Sequence, residues 1–293
     1  MFVTSFKGLS VLQAVIKDNL AHLINMIVVG TDKNIINDYS EDIVTLCKSN
    51  GINWCYHEKF DYRTIGEITI AVSWNRMIET KHTQLIVLHE SLLPKYRGFA
   101  PLVNQLLNKE PQVGVTAFYA TNEYDKGDII FQERIPISYP LKIKDAIKIV
   151  SEYYQKISLK ILHTINNGKE FETIQQNEKE ATYSLWRDYD DYFINWSNES
   201  TYISRFIDSV GEPYLGAQTY MNDEQITVLE SAIVNDLVIE NRDCGKVIFF
   251  EDNFPVVVCG KGLLKITCAV NNLTGESIFP LKKFRIRFKS KMD

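Results

Sequence analysis

Residues 85–98 read LIVLHESLLPKYRG, and this stretch is the most informative part of the chain. The apolar run 85–88 predicts a short buried strand, and the turn after it carries an imidazole, a proline and two cations. A side chain at that point lies at the carboxyl end of a strand, where open α/β sheets bind ligands. A histidine at a strand end is more often packed than catalytic. Here the acidic turn EYDKGD at 123–128, which follows the next strand, favours a catalytic role for His89.

Strands and helices alternate on both sides of this stretch, which is typical of a mostly parallel, doubly wound sheet. The pattern predicts strands at 1–6, 25–29, 53–56, 68–72, 85–88, 114–120 and 129–135, and helices at 9–23, 38–48, 101–107 and 142–165. No G-x-G-x-x-G follows the first strand, so a dinucleotide-binding function has little support. The predicted fold class is α/β.

The chain is long enough for a large domain and a smaller one. We predict a catalytic domain at 1–168 and a linker at 169–200, where the sequence is rich in Glu, Gln, Asn and Thr. From 201 to 293, short β-type runs alternate with turn residues, which predicts a β-rich, barrel-like domain.

Composition excludes several classes of protein. The net charge of −5 argues against a surface devoted to nucleic-acid phosphates, although a local basic patch remains compatible with it. The five cysteines form no C-x-x-C pair and no Cys/His cluster, so we expect reduced thiols, a cytoplasmic location and no bound metal. No run of 18 apolar residues and no signal-peptide core is present, so no membrane association is expected.

Two side chains have the chemistry of a proton-transfer pair. His89 and Asp125 follow two predicted strands, and if those strands are neighbours both side chains project into one cleft. A carboxylate beside an imidazole favours the charged ring and orients it. Lys95 and Arg97 lie in the turn after His89, and the sequence leaves open whether they bind phosphate or form a solvated basic loop.

Several motifs together carry a family resemblance. Residues 89–98 resemble the signature of the formyltransferases that use 10-formyltetrahydrofolate, and GVT at 114–116 with DKGD at 125–128 resembles their second block. DYFINW at 191–196 and PYLGA at 213–217 resemble the start of the C-terminal domain of the longer members. The resemblance implies a Rossmann-like formyltransferase domain with a smaller C-terminal β-rich domain, a folate formyl donor and an amine acceptor.

The family's catalytic set is Asn, His and Asp, and one member is missing here. His89 and Asp125 match, but Val87 occupies the position of the Asn. Losing one donor to a developing oxyanion typically costs about 2.7–4 kcal/mol. The replacement donor stays open among Asn75, Asn104, a protonated His89 and a backbone N–H.

The acceptor in longer members is methionyl-tRNA or an amino sugar attached to a nucleotide. WNRMI at 74–78, YRGFAP at 96–101 and WRD at 186–188 resemble the nucleotide-sugar N-formyltransferases. We therefore expect a cytoplasmic homodimer that formylates a dTDP-linked amino-dideoxy sugar for lipopolysaccharide O-antigen synthesis, with no nucleic-acid partner. The alternatives are a methionyl-tRNA formyltransferase and a non-catalytic module that binds nucleotide sugars.

The resemblance also implies binding residues. It places the pterin against the loops at 72–77 and 120–125, and the predicted folate-binding residues are Val72, Trp74, Met77, Ile86, Leu88 and Tyr124. Trp74 is equally compatible with a purely structural place in the core. The predicted substrate-binding residues are cations for the diphosphate and an aromatic face for the base, namely Lys7, Arg76, Lys95, Arg97 and Tyr96.

Overall fold

The computed structural model describes residues 1–33, 35–78 and 83–290. The described chain divides into two compact units. The first comprises Met1–Gln105, Pro111–Ile137 and Asp145–Trp186. The second comprises Leu106–Glu110, Ser138–Lys144 and the chain from Arg187 to residue 290.

A seven-stranded sheet forms the centre of the first unit, in the order β3-β2-β1-β4-β5-β7-β8. Its strands are β1 (Phe2–Val3), β2 (Ile27–Val29), β3 (Trp54–Tyr56), β4 (Ile68–Val72), β5 (Gln84–His89), β7 (Gln112–Tyr119) and β8 (Ile129–Pro136). The first five strands in this order run parallel, and β7 and β8 are antiparallel to their neighbours. A separate parallel pair joins β6 (Arg97–Gly98) to β9 (Tyr183–Ser184). The predicted α/β fold class is confirmed.

Four helices accompany these strands along the chain: α1 (Ser5–Lys17), α2 (Ser40–Ser49), α3 (Pro101–Leu107) and α4 (Ile143–Asn166). The prediction for α3 agrees residue for residue, and the first strand was predicted too long. It ends at Val3 because α1 begins at Ser5. A short apolar run does not by itself distinguish a strand from the start of a helix.

Strand β5 separates two environments, because successive side chains point to opposite faces of a sheet. Ile86 and Leu88 are buried on one face, and Tyr154 of α4 donates from its hydroxyl to the Leu88 carbonyl oxygen at 3.2 Å. Val87 lies on the other face, together with His89, and packs against a cluster that includes Phe2, Val28, Ala71, Ile78 and Leu85. The sheet therefore presents His89 on the face that Val87 shares.

The second unit combines one helix with a six-stranded antiparallel sheet, in the order β12-β13-β14-β11-β10-β15. Its elements are α5 (Ser200–Val210), β10 (Ala217–Met221), β11 (Glu224–Val234), β12 (Val247–Glu251), β13 (Phe254–Val258), β14 (Leu263–Asn271) and β15 (Phe288–Lys289). Trp196 is buried in this unit, and its indole N–H donates to Thr219 Oγ1 at 3.1 Å. The predicted β-rich C-terminal fold is confirmed.

None of the helices among the described residues has the length and apolar character that crossing a membrane requires.

The hydrogen bond from Tyr154 to β5 gives a stability prediction. We expect Tyr154→Phe to lower the free energy of unfolding by about 1 kcal/mol, because the Leu88 carbonyl loses its side-chain donor inside the core. Urea unfolding measures the change, and the half-buried neighbour Tyr153, as Tyr153→Phe, is the control. An equal loss in both variants would contradict the assignment.

Candidate active site

His89 ends β5 and is 8% exposed. Its Nε2 lies 2.8 Å from the carbonyl oxygen of Tyr96. Because a carbonyl oxygen only accepts, Nε2 carries the hydrogen and donates it. The other ring nitrogen, Nδ1, faces Asp125, with 3.8 Å between Nδ1 and Oδ2. The Tyr96 bond therefore orients the ring and turns Nδ1 towards the carboxylate.

Asp125 reaches His89 by a route that the strand pattern did not predict. The sequence predicted that His89 and Asp125 share a cleft if the strands before them are neighbours. The two strands are neighbours, but β7 runs antiparallel to β5, so they end at opposite ends of the sheet. The backbone N–H of Ala120, just past β7, bonds to the Leu85 carbonyl at 2.8 Å, near the start of β5. The following loop returns along the sheet, and Oδ2 of Asp125 accepts from the Gly98 N–H at 2.7 Å. The pair is therefore assembled by a loop contact.

Hydrogen bonds from two neighbouring strands hold the loop after His89. Thr116 Oγ1 of β7 donates to the Ser91 carbonyl at 2.6 Å, and Gln132 Nε2 of β8 donates to the Leu93 carbonyl at 3.0 Å. Gly98 adopts a φ of 101°, and a Cβ there would lie 2.5 Å from the Ser184 carbonyl oxygen. Only glycine fits this close approach of β6 and β9.

Arg97 occupies a different environment from the one predicted for it. Its side chain is fully buried, and its guanidinium donates to Gln176 Oε1 at 2.7 and 3.1 Å. It also forms a bidentate pair with Glu178 at 2.7 and 2.9 Å, which holds the pKa of that carboxyl below its ordinary value. Since its donors are directed at these partners, we assign Arg97 to holding its loop and withdraw its predicted role in binding a diphosphate.

Of the three other cations predicted to bind substrate, two bond to protein groups and one is exposed. Lys7 is buried in α1 and forms an ion pair with Glu90, so it too is directed at a protein partner. Arg76 donates to the Thr31 carbonyl oxygen, and its guanidinium lies 5.5 Å from the Trp74 ring centre. Lys95 is exposed in the loop after His89. Among the four, Lys95 is the cation best placed to meet an anionic ligand.

Three of the predicted folate-binding residues lie on the face of the sheet opposite His89. Val72 pairs in register with Leu88, so its side chain shares the face of Ile86 and Leu88. All three are buried. Their side chains therefore do not share the space in front of His89.

The remaining predicted folate residues have accessible surface. Trp74 is half-buried, with its ring 5.0 Å from Phe2 and 5.5 Å from His57. Met77 and Tyr124 are exposed, and Tyr124 lies 6.4 Å from the Phe99 ring. Tyr96, predicted to stack on the base, is half-buried, and its carbonyl is the acceptor for His89.

The position of the missing Asn is apolar in the structure as well as in the sequence. Val87 shares the His89 face and packs into the core cluster there. Asn104 directs its amide at the Ala100 carbonyl at 3.0 Å within α3, and the exposed Asn75 accepts a bond from Arg76. Of the side-chain donors considered from sequence, the His89 ring is the one that lies beside Asp125.

Sequence reasoning missed the segment that supports this site. Gln176, Thr182 and Ser184 lie in the polar stretch predicted to be a linker, yet Gln176 and Ser184 are buried against the loop after His89. Thr182 Oγ1 accepts from the Tyr96 N–H at 2.9 Å. A polar composition carries no signal that distinguishes a buried, bonded glutamine from a solvated one.

Two family models match the chain. The formyl transferase model matches residues 67–160, which include His89 and Asp125, and the model of the formyl transferase C-terminal domain matches residues 188–273. The chain belongs to the formyl transferase family. Methionyl-tRNA formyltransferase of Syntrophomonas wolfei is 27% identical over 205 residues, which are 68% of this chain and 64% of that protein. The match therefore spans less than two thirds of that curated relative.

Solved structures share the fold across both units. The sugar 3N-formyltransferase WlaRD, crystallised with dTDP and 5-N-formyl-THF, aligns over 90% of this chain and 94% of its own, at a TM-score of 0.65 and 20% identity. The N-formyltransferase of Helicobacter canadensis, in complex with folinic acid and dTDP-3-aminofucose, aligns over 91% and 97%, at a TM-score of 0.68 and 18% identity. At these identities the likeness shows the fold.

The Arg97–Glu178 pair gives a prediction for pH dependence. Because the folded state lowers the pKa of Glu178, the pair stabilises the fold above the ordinary glutamate range, and this contribution is lost as the pH falls through the folded value. We expect Glu178→Gln to lower the melting temperature at neutral pH, and the difference from wild type to shrink towards acid pH. Thermal melts over that pH range measure it. A difference that is independent of pH would contradict the role of the charge.

Proposed function

We propose that the protein is a sugar N-formyltransferase that moves a formyl group from 10-formyltetrahydrofolate to the amine of a dTDP-linked amino-dideoxy sugar. The observation that carries the proposal is the pair formed by His89, buried at the end of β5, and the half-buried Asp125, both within the matched family region. WlaRD and the Helicobacter canadensis N-formyltransferase, which align over nine tenths of this chain, were crystallised with dTDP or a dTDP-sugar and a folate, which supports this choice of substrates.

The loop after β4 fits a folate ring in one specific respect. Trp74 follows β4, whose last residue pairs with Leu88, so its loop leaves the sheet at the same edge as His89. The Trp74 Nε1 atom is buried and has no hydrogen-bond acceptor among the described residues. A buried indole N–H normally finds a partner, and a pterin carries ring acceptors that supply one.

The geometry assigns separate tasks to the two ring nitrogens of His89. Its Nε2–H is used to hold the ring against the Tyr96 carbonyl. In the proposed reaction its Nδ1 takes up the proton that the attacking amine loses, and the carboxylate of Asp125, with Oδ2 3.8 Å from Nδ1, stabilises the positive charge that this places on the ring. When bound, the folate supplies the formyl group and the nitrogen that leaves.

Val87 determines which group meets the negative charge on the formyl oxygen. Its isopropyl side chain donates no hydrogen bond, so the protonated Nδ1–H of His89 takes the part that the family gives to an Asn. His89 then takes at Nδ1 the proton that the attacking amine loses, donates this N–H to the negatively charged oxygen, and finally passes the proton to the departing nitrogen. Asp125 keeps the ring charged between these steps.

The substrate test compares two classes of acceptor. The protein is incubated with 10-formyltetrahydrofolate and a panel of dTDP-amino sugars, and separately with methionyl-tRNA, which the Syntrophomonas wolfei relative makes the second candidate. We expect mass spectrometry to show one added formyl group on an amino sugar. Formylation of methionyl-tRNA alone would replace the proposal with the second candidate. Binding of dTDP-sugar with no formylation of any acceptor would favour a non-catalytic module.

The catalytic assignment predicts the effect of removing either member of the pair. We expect His89→Asn and Asp125→Asn each to lower turnover at least about a hundredfold, because a positioned acid–base group contributes about a hundred- to ten-thousandfold. The double variant should lose little more than either single one, since the two act as a unit. Steady-state formylation kinetics measure these losses.

The matched control is His163→Asn, which removes an exposed histidine paired with Asp18. It should retain the turnover of the wild type. Melting temperatures of all four variants separate loss of chemistry from loss of fold. Near-wild-type turnover in His89→Asn would overturn the catalytic assignment.

A further inference from the structure

One buried carboxamide holds the turn that carries Asp125. Gln176 is 7% exposed, and its Nε2 donates to the carbonyl oxygens of Asp125 at 2.8 Å and Gly127 at 2.7 Å. Its Oε1 accepts two bonds from Arg97, at 2.7 and 3.1 Å. An amide group has two donor hydrogens and two acceptor lone pairs, so this side chain is fully used.

The turn needs such a support for two reasons. Asp125 adopts a φ of 55°, a left-handed conformation that is uncommon for residues other than glycine and that contacts from the surrounding structure stabilise. In addition, the antiparallel exit of β7 directs the chain away from His89, and the loop must return to it. The place where Gly127 closes the turn is tight, since a Cβ there would lie 1.6 Å from the Tyr119 carbonyl oxygen.

The bond that holds the Asp125 backbone and the bond that holds its carboxylate are connected through two adjacent residues, Arg97 and Gly98. Gln176 bonds the backbone of Asp125, and Gly98 bonds its carboxylate at Oδ2. Arg97, which precedes Gly98, binds Gln176 through its buried guanidinium. The backbone N–H of Arg97 also donates to the Thr182 carbonyl at 2.9 Å. Gln176 thus connects the loop after His89 to the turn of Asp125.

From this network we infer that Gln176 is a positioning residue, which sets the place of the Asp125 carboxylate relative to His89 Nδ1. It lies outside both matched family regions, in the segment between them. The inference rests on the proposed function, because positioning has a kinetic meaning only if the pair catalyses formyl transfer. A displacement of about 1 Å in a catalytic group typically costs about a hundredfold in rate.

The experiment separates the two sides of the carboxamide. Gln176→Glu keeps the acceptor for Arg97 and removes the donors to Asp125 and Gly127, whereas Gln176→Met removes both. Gln155→Glu and Gln155→Met are the matched controls, since Gln155 is a half-buried glutamine of α4 that bonds Ser10. Turnover, the Michaelis constants for both substrates and melting temperatures are measured for each variant. The ¹⁵N shift of His89 Nδ1 is measured in the Glu variants, with His89→Asn to identify the signal.

We expect Gln176→Glu to lower kcat at least about tenfold, while both Michaelis constants stay within about threefold of wild type. Its melting temperature should stay close to that of Gln155→Glu, because Arg97 keeps its partner. The Nδ1 signal should move, since the carboxylate beside it has moved. Gln176→Met should show the same kinetic loss together with a lower melting temperature, because the buried guanidinium loses an acceptor.

Three results would overturn the inference. The first is an unchanged kcat together with an unmoved Nδ1 signal in Gln176→Glu. The second is a loss of kcat in Gln176→Glu that equals the loss in Gln155→Glu. The third is a rise in both Michaelis constants of Gln176→Glu that matches its fall in kcat. A wild-type protein that formylates no acceptor would instead overturn the proposed function. In that case the Nδ1 signal still decides whether Gln176 positions the carboxylate, so the two failures are distinguishable.

Discussion

The hydrogen bond from the Gly98 N–H to Oδ2 of Asp125 joins the two loops on which the candidate active site depends. One loop begins directly after His89, the last residue of β5, and the other follows β7 and must return across the sheet. Among the described residues no strand pairing brings these loops together, because β5 and β7 run antiparallel and end at opposite ends of the sheet. The single backbone donor is directed at the carboxylate by the φ of 101° at Gly98, a conformation that glycine adopts without strain.

The burial of Arg97 explains why the N–H of the next residue, Gly98, stays in place. A guanidinium taken out of water is costly unless acceptors surround it, so the buried Arg97 requires Gln176 and Glu178 to be in place. The same requirement brings residues 176–184 onto the loop after His89. A basic residue of the signature therefore serves the site through its neighbours. Lys7 repeats this pattern on α1 by pairing with Glu90.

The alternation of β5 decides which side chains share a space with His89. Val87 lies on the His89 face, and Ile86 and Leu88 lie on the opposite one. In the proposed reaction, the apolar Val87 leaves the imidazole as the group that both stabilises charge and moves a proton. The structure already orients both ring nitrogens of His89. Nε2 is directed at the Tyr96 carbonyl and Nδ1 at Asp125.

By itself the sequence determined the alternation of strands and helices, the α/β class, the β-rich C-terminal part and the signature that contains His89 and Asp125. These follow from local periodicity and from motifs of adjacent residues, which need no knowledge of the chain's path. Only the tertiary structure decided that β7 runs antiparallel to β5, that Arg97 is buried and that Gln176 supports Asp125. Arg97 and Gln176 are 79 positions apart, and a contact between such distant residues exists only once the chain has folded. A polar residue in a polar segment looks the same in sequence whether it meets water or a buried guanidinium, because burial is a property of the fold.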